Sequence, residues 1–196
     1  DDFDLKMADQ LAEAGFVAVV PDLFHRFSKE VMDGPRLDRL GHLKDADIIS
    51  DMNAAVDFLT SNSAIDNDRI GVTGFCMGGR IAWLMAASNQ IFKCTVPFYG
   101  GNIMGNWGPG DTPFSMANNI NCPMLFHFGG EDGNPSVADR DTFDVELKRL
   151  GKDFEFHTYG GAGHAFMDHT NPDRYHEASA AVAWPRTIDF FNKHLK

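Results

Sequence analysis

A chain of 196 residues, 43% hydrophobic and 23% charged, can bury one good core, and one domain covering 1–196 is the default. Its 28 acidic and 17 basic side chains give a formal charge of −11, which argues against a nucleic-acid or anionic-membrane surface as the main partner. No apolar run approaches the roughly 18 residues of a membrane helix, and three cysteines, Cys76, Cys94 and Cys122, without disulfide or metal-like spacing suit a reducing, cytoplasmic setting.

The chain opens without Met on "DDFDLKMADQ". Phe3, Met7, Leu11 and Ala14 recur at helical spacing, with Gly15 as the stop. "FVAVVPDLF" follows, a continuous apolar run ended by Pro21 that predicts a strand at Phe16–Val20, buried on both faces. The stretch from His25 to Gly41 is polar and reads as loop. Leu43, Ala46, Ile49, Met52, Val56 and Leu59 mark one face of a long helix. "RIGVTGF" is a second strand. "MGGRIAWLMAAS" is apolar nearly all round and predicts a buried helix. "KCTVPFYG" is a third strand, followed by a Gly-, Asn- and Pro-rich loop from Gly100 to Pro123. "PMLFHFG" is a fourth strand. Ser136 and Asp139 form a capping-box pattern, so a helix spans Ser136 to Leu150. "DFEFHTY" is a shorter fifth strand. A last helix runs from about Pro172 to His194, kinked or split at Pro185.

Alternating strands and helices predict an α/β fold with a mainly parallel sheet flanked by helices. Ligand sites in such sheets lie beyond the carboxyl ends of the strands. That rule selects the turns holding Cys76, Asp132 and His164. In "GFCMGG" a cysteine stands where a nucleophile elbow carries its nucleophile: Gly74 and Gly78 relieve a crowded turn, and the Met77 N–H is placed to hold an oxyanion. The helix that follows favours thiolate. Cys94, inside a strand, and Cys122, before Pro123, read as buried structural thiols. A phosphatase-type phosphate loop would need an arginine farther downstream than Arg80, which falls within the helix.

Among eight histidines, His164 in "YGGAGHAF" has the context of a base, on a flexible Gly-rich loop after a strand. His42, His157, His176 and His194 read as surface or packing residues, and His127 as a satisfied core histidine. Asp132 in "LFHFGGEDGNPS" is the orienting acid, with Glu131 as its competitor. The order nucleophile, acid, histidine is that of the α/β-hydrolase arrangement. His25, Arg26 and Phe166 are candidate substrate-binding residues, and Phe24, Phe27 and Trp107 further candidates for an apolar lining; core packing is the alternative for Phe166. "HAFMDH" puts His164, Asp168 and His169 close in sequence, but no third partner stands at convincing metal spacing, and no metal site is read. No phosphate-binding or dinucleotide fingerprint is present.

At "FVAVVPDLFHR", "RIGVTGFCMGGR", "LFHFGGEDGNPS" and "GGAGHAF" the sequence resembles the dienelactone hydrolase (carboxymethylenebutenolidase) family of α/β-hydrolases. The resemblance implies a Cys76–His164–Asp132 triad that hydrolyses a small-molecule lactone or ester, with no cofactor. It also implies strands before the helix at Phe3, carrying a second oxyanion donor and a glutamate that contacts the resting thiol. A strand between Phe16–Val20 and Arg69–Thr73 would be missing, so the chain is expected to be a fragment of a longer protein. Family members acting on a carboxylated lactone hold its carboxylate with arginines, one a few residues after the histidine. Asp168 stands in that region instead, with Arg26, Arg36 and Arg39 as substitutes, so a different ester or lactone is the expected substrate. The alternatives are a thioesterase or acyl transferase with the same triad, and a non-catalytic scaffold.

Overall fold

The computed structural model describes residues 2–196, apart from the Arg36 side chain. Four strands, β1 (Ile70–Phe75), β2 (Phe92–Phe98), β3 (Met124–Gly129) and β4 (Phe154–Tyr159), form one parallel sheet in the order β1-β2-β3-β4. The helices are α1 (Asp2–Glu13), α2 (Lys29–Asp33), α3 (Arg36–Gly41), α4 (Asp45–Thr60), α5 (Met77–Ser88), α6 (Val137–Arg149) and α7 (Glu177–Leu195). The α/β architecture expected from the alternating pattern is present.

Strand alternation sorts the core into two layers. Cys94, Val96 and Phe98 of β2 and Leu125 of β3 face α1 and α7, where Phe3, Met7, Phe190 and Phe191 are buried. Met124, Phe126 and Phe128 of β3 face the other way, onto Trp83 of α5 and Phe143 and Leu147 of α6. Helix α5 lies deep in that second layer. All nine residues from Gly79 to Ala87 are buried, which is why its sequence is apolar on every side.

Three expectations fail. Phe16–Val20 has no regular secondary structure and joins no strand, and Val17 and Val20 are 67% and 42% exposed. An apolar run becomes a buried strand only where a neighbouring backbone completes its ladder. Here β1 pairs with β2 alone, and its other edge has no strand partner among the described residues. The His25–Gly41 stretch holds α2 and α3: Ser28 caps the first through the Val31 N–H, and the Pro35 carbonyl accepts the first bonds of the second, from the Asp38 and Arg39 N–H groups. Helix α7 starts at Glu177 rather than Pro172 and carries Pro185 inside it without being split. Among the described residues, no helix is long and apolar enough to cross a membrane.

Candidate active site

The turn between β1 and α5 is built by close backbone approach. Cys76 has φ +55°, in the region that L-residues avoid. The flanking chain tolerates this because a Cβ on Gly74 would lie 2.3 Å from the Gly78 carbonyl oxygen, and one on Gly79 would lie 2.3 Å from that of Phe98. Gly78 is different: its backbone meets Gly74, but a Cβ on Gly78 would meet nothing within 4 Å. The crowding expected at Gly78 therefore belongs to Gly74 and Gly79. The turn is tied to the sheet by the Cys76 N–H, which donates to the Phe98 carbonyl at 3.1 Å. Cys76 is left half-buried at the positive end of a 12-residue helix. Met77 is the first residue of that helix, a position whose N–H has no intrahelical acceptor.

The acid and the histidine arrive from the next two crossovers. Asp132 follows β3, and the Asn134 N–H donates to its Oδ1 at 2.8 Å. His164 follows β4. The two loops touch closely: a Cβ on Gly129 would be 2.5 Å from the carbonyl oxygens of Ala162 and Gly163. His164 Nδ1 lies 2.9 Å from Asp132 Oδ2, and His164 Nε2 lies 2.9 Å from Cys76 Sγ. The Asp132 side chain is 1% exposed, whereas neighbouring Glu131 is exposed and no hydrogen bond joins it to His164. The turn thus aims one of the two adjacent carboxylates at the imidazole.

Burial alone would lower the pKa of His164. Its hydrogen bonds to Asp132 and Cys76, with the charges of both groups, outweigh burial and raise it to about 9. An imidazolium beside a thiol at a helix N-terminus favours the thiolate. The other two thiols are held protonated by burial, which pushes Cys94 far up and Cys122 up to about 11.

The expected lining residues behave differently. His25 and Arg26 both reach Asp51 on α4, His25 at 3.1 Å and Arg26 through Nε at 3.2 Å and a second nitrogen. Arg26 donates to Asp51 and, helped by His25, holds its carboxyl below the usual range. No hydrogen bond joins either residue to Cys76, Asp132 or His164. Phe166 is 0% exposed and packs between Tyr99 and Tyr159, so it is core and not pocket lining. Its loop turns inward after His164, with Ala165 at φ +63°. Asp168 spends its carboxylate on Thr170, accepting from the backbone N–H at 3.1 Å and the hydroxyl at 2.6 Å. The segment around it is a turn and not a helix.

Sequence reasoning passed over Tyr99. It follows β2 directly with φ +36°, is 1% exposed, and sets its ring edge-on to His164 at 5.3 Å between centroids. "FYG" at a strand end, with Gly100 close against Gly79 and Arg80, was the available signal.

The dienelactone hydrolase family profile matches residues 2–195. The chain belongs to the dienelactone hydrolase family. Two curated relatives, each named "Putative carboxymethylenebutenolidase", come from Methylorubrum extorquens and Salmonella typhimurium. The first is 33% identical over 192 residues, covering 94% of this chain and 65% of the relative. The second is 32% identical over 196 residues, covering 94% and 70%. The chain thus spans about two thirds of the length of these relatives. A crystal structure described as "Putative Dienelactone Hydrolase" from Klebsiella pneumoniae superposes with a TM-score of 0.87 at 29% identity, covering 98% of this chain and 81% of that one. The elbow, the acid turn and the histidine loop all lie inside the matched span.

Proposed function

We propose that this dienelactone hydrolase family chain carries a cysteine hydrolase that opens a lactone or cleaves a carboxylic ester through a thioester. The reading rests on one observation: a single imidazole within 2.9 Å of both a thiol and a buried carboxylate. Asp132 fixes the His164 tautomer and stabilises the imidazolium. The Cys76 thiolate attacks the carbonyl carbon, and the carbonyl electrons move onto oxygen. The Met77 N–H donates to that oxyanion; one such donor is worth about 2.7–4 kcal/mol in known oxyanion holes. When the tetrahedral adduct collapses, the C–O bond to the leaving alkoxide breaks and His164 gives it a proton. His164, now neutral, takes a proton from water as the water attacks the thioester. Collapse breaks the C–S bond, releases the acid and restores the thiolate–imidazolium pair. Names shared by the relatives, which denote lactone hydrolysis, support the substrate class.

The test is hydrolysis of a 4-nitrophenyl ester and of a small lactone by wild type and Cys76→Ala, with mass spectrometry of quenched reactions. Loss of turnover in Cys76→Ala and an acyl adduct on the Cys76 peptide of wild type are expected. Undiminished hydrolysis by Cys76→Ala overturns the reading, and absence of any adduct favours a non-catalytic scaffold. Acyl transfer to added alcohol or thiol in preference to water identifies a transferase.

A further inference from the structure

The acid turn is joined to the nucleophile elbow a second time, by a route that does not pass through the imidazole. The Arg80 N–H donates to the Cys76 carbonyl at 3.2 Å, one helical turn along α5. Arg80 Nε donates to the Asn102 carbonyl at 3.1 Å. The Asn102 N–H donates to Asn134 Oδ1 at 3.3 Å, and the Asn134 N–H donates to Asp132 Oδ1 at 2.8 Å. With the Asp132–His164 and His164–Cys76 contacts, these bonds close a ring. The link at Asn134 is tightly shaped. Asn102 has φ +53°, and a Cβ on Gly101 would lie 2.5 Å from the Asn134 amide nitrogen. Arg80 itself cannot drift, because it is 0% exposed and gripped by Asp45 at 2.6 and 2.9 Å.

We propose that Asn134 is a positioning residue: its side-chain oxygen anchors the acid turn to the loop after β2, and so sets the Asp132 carboxylate on His164. Without that acceptor the Asn102 N–H loses its protein partner, and the acid turn loses its tie to the loop after β2 while Asp132 keeps its bonds to the Asn134 N–H and to His164. The inference rests on the hydrolase reading, since it assigns Asn134 a role in holding the same imidazolium. Asn134 is exposed, so its truncation leaves the core intact.

The test is the rate of Cys76 alkylation by iodoacetamide between pH 5 and 10 on the 196-residue chain, read peptide by peptide in a mass spectrometer, with thermal unfolding alongside. No ester substrate is needed. Asn134→Ala is expected to slow alkylation at pH 7 by about three- to tenfold and to move the midpoint of the profile upward, the size expected for one lost neutral hydrogen bond. Asn134→Asp keeps an acceptor at the same place and is expected to react within about twofold of wild type, or faster. A wild-type profile in Asn134→Ala, equal slowing in both variants, or a lower unfolding temperature with the profile unmoved would each overturn the proposal. If wild-type Cys76 itself titrates like a free thiol near about 8.5, the hydrolase reading fails first and takes this inference with it.

Discussion

Asp45 and Arg80 form a bidentate ion pair directly behind the Cys76 turn, with Arg80 fully buried and the Asp45 side chain 9% exposed. The pair gathers three segments. Asp45 opens α4 and accepts the Trp107 N–H at 2.8 Å. Arg80 also donates to the Asn102 and Gly105 carbonyls and lies 3.9 Å over the Trp107 ring. Every donor of the planar fork used here has a fixed acceptor, a geometry lysine cannot copy.

Removing one member of a buried pair strands the other charge and costs about 3–5 kcal/mol. Arg80→Met and Asp45→Asn are therefore each expected to lower the unfolding temperature by roughly 6–20 °C, at about 2–4 °C per kcal/mol for a chain of this size. Arg80→Lys is expected to fall closer to Arg80→Met than to wild type. Far-UV circular dichroism melts check this, and an unshifted melt for Arg80→Met would show that the clamp contributes little.

The raised pKa of His164 gives a signed pH dependence. A base whose folded pKa, about 9, exceeds its unfolded value near 6.5 contributes stability fully below that unfolded value. The contribution falls as pH rises through the window and is gone above about 9. Asp132→Asn removes the anionic partner, so the imidazole should titrate lower, and esterase kcat should fall by about 10²-fold or more. NMR titration of the His164 ring in wild type and variant measures the first effect directly; an unchanged ring pKa would contradict it.

The glycines of the elbow predict opposite outcomes at adjacent positions. Gly74→Ala and Gly79→Ala push a methyl into backbone oxygens at 2.3 Å, which cannot move without opening the turn. Both should unfold at clearly lower temperature or accumulate as insoluble protein. Gly78→Ala meets open space inside a helix and is expected to leave the melt unchanged or raise stability by about 0.5–1 kcal/mol. A large destabilisation by Gly78→Ala would refute the contrast.

His127 lies in the core as the sequence suggested, and its hydrogen bonds define one protonation state. Thr187 donates its hydroxyl to the Ala183 carbonyl, so its oxygen accepts from His127 Nε2–H at 2.9 Å. Arg186 donates to the Tyr159 hydroxyl, which donates to His127 Nδ1 at 2.8 Å. Burial, with His157 and Arg186 nearby, holds the pKa well below its ordinary value. The neutral ring then supports stability above the unfolded pKa near 6.5, and that support is lost as pH falls below it. Unfolding temperature should decline from pH 6.5 to pH 5. Thr187→Val should cost about 1–3 kcal/mol without altering Cys76 alkylation, which urea unfolding and iodoacetamide kinetics would separate.

The elbow was legible because its constraint is local. Glycine spacing around Cys76 encodes a turn that only small residues allow, and the same holds for the Gly-rich loops that carry Asp132 and His164. The helix α6 start was legible for a similar reason: Ser136 and Asp139 cap each other within one turn. Phe16–Val20 misled because apolar composition records a tendency to extend and to bury, while a strand is a relation with another backbone.

By itself the sequence determined the alternation of strands and helices, the buried character of α5, and the three turns from which chemistry could issue. These follow from side-chain periodicity and from backbone conformations that act over a few residues. Only the tertiary structure decided that Asp132 and not Glu131 faces the imidazole, that His25 and Arg26 go to Asp51, and that Phe166 is core. It also revealed the grip of Asp45 on Arg80 and the anchor at Asn134. Each of those outcomes depends on which distant groups the sheet order brings within hydrogen-bond reach, and short-range pattern carries no record of that distance.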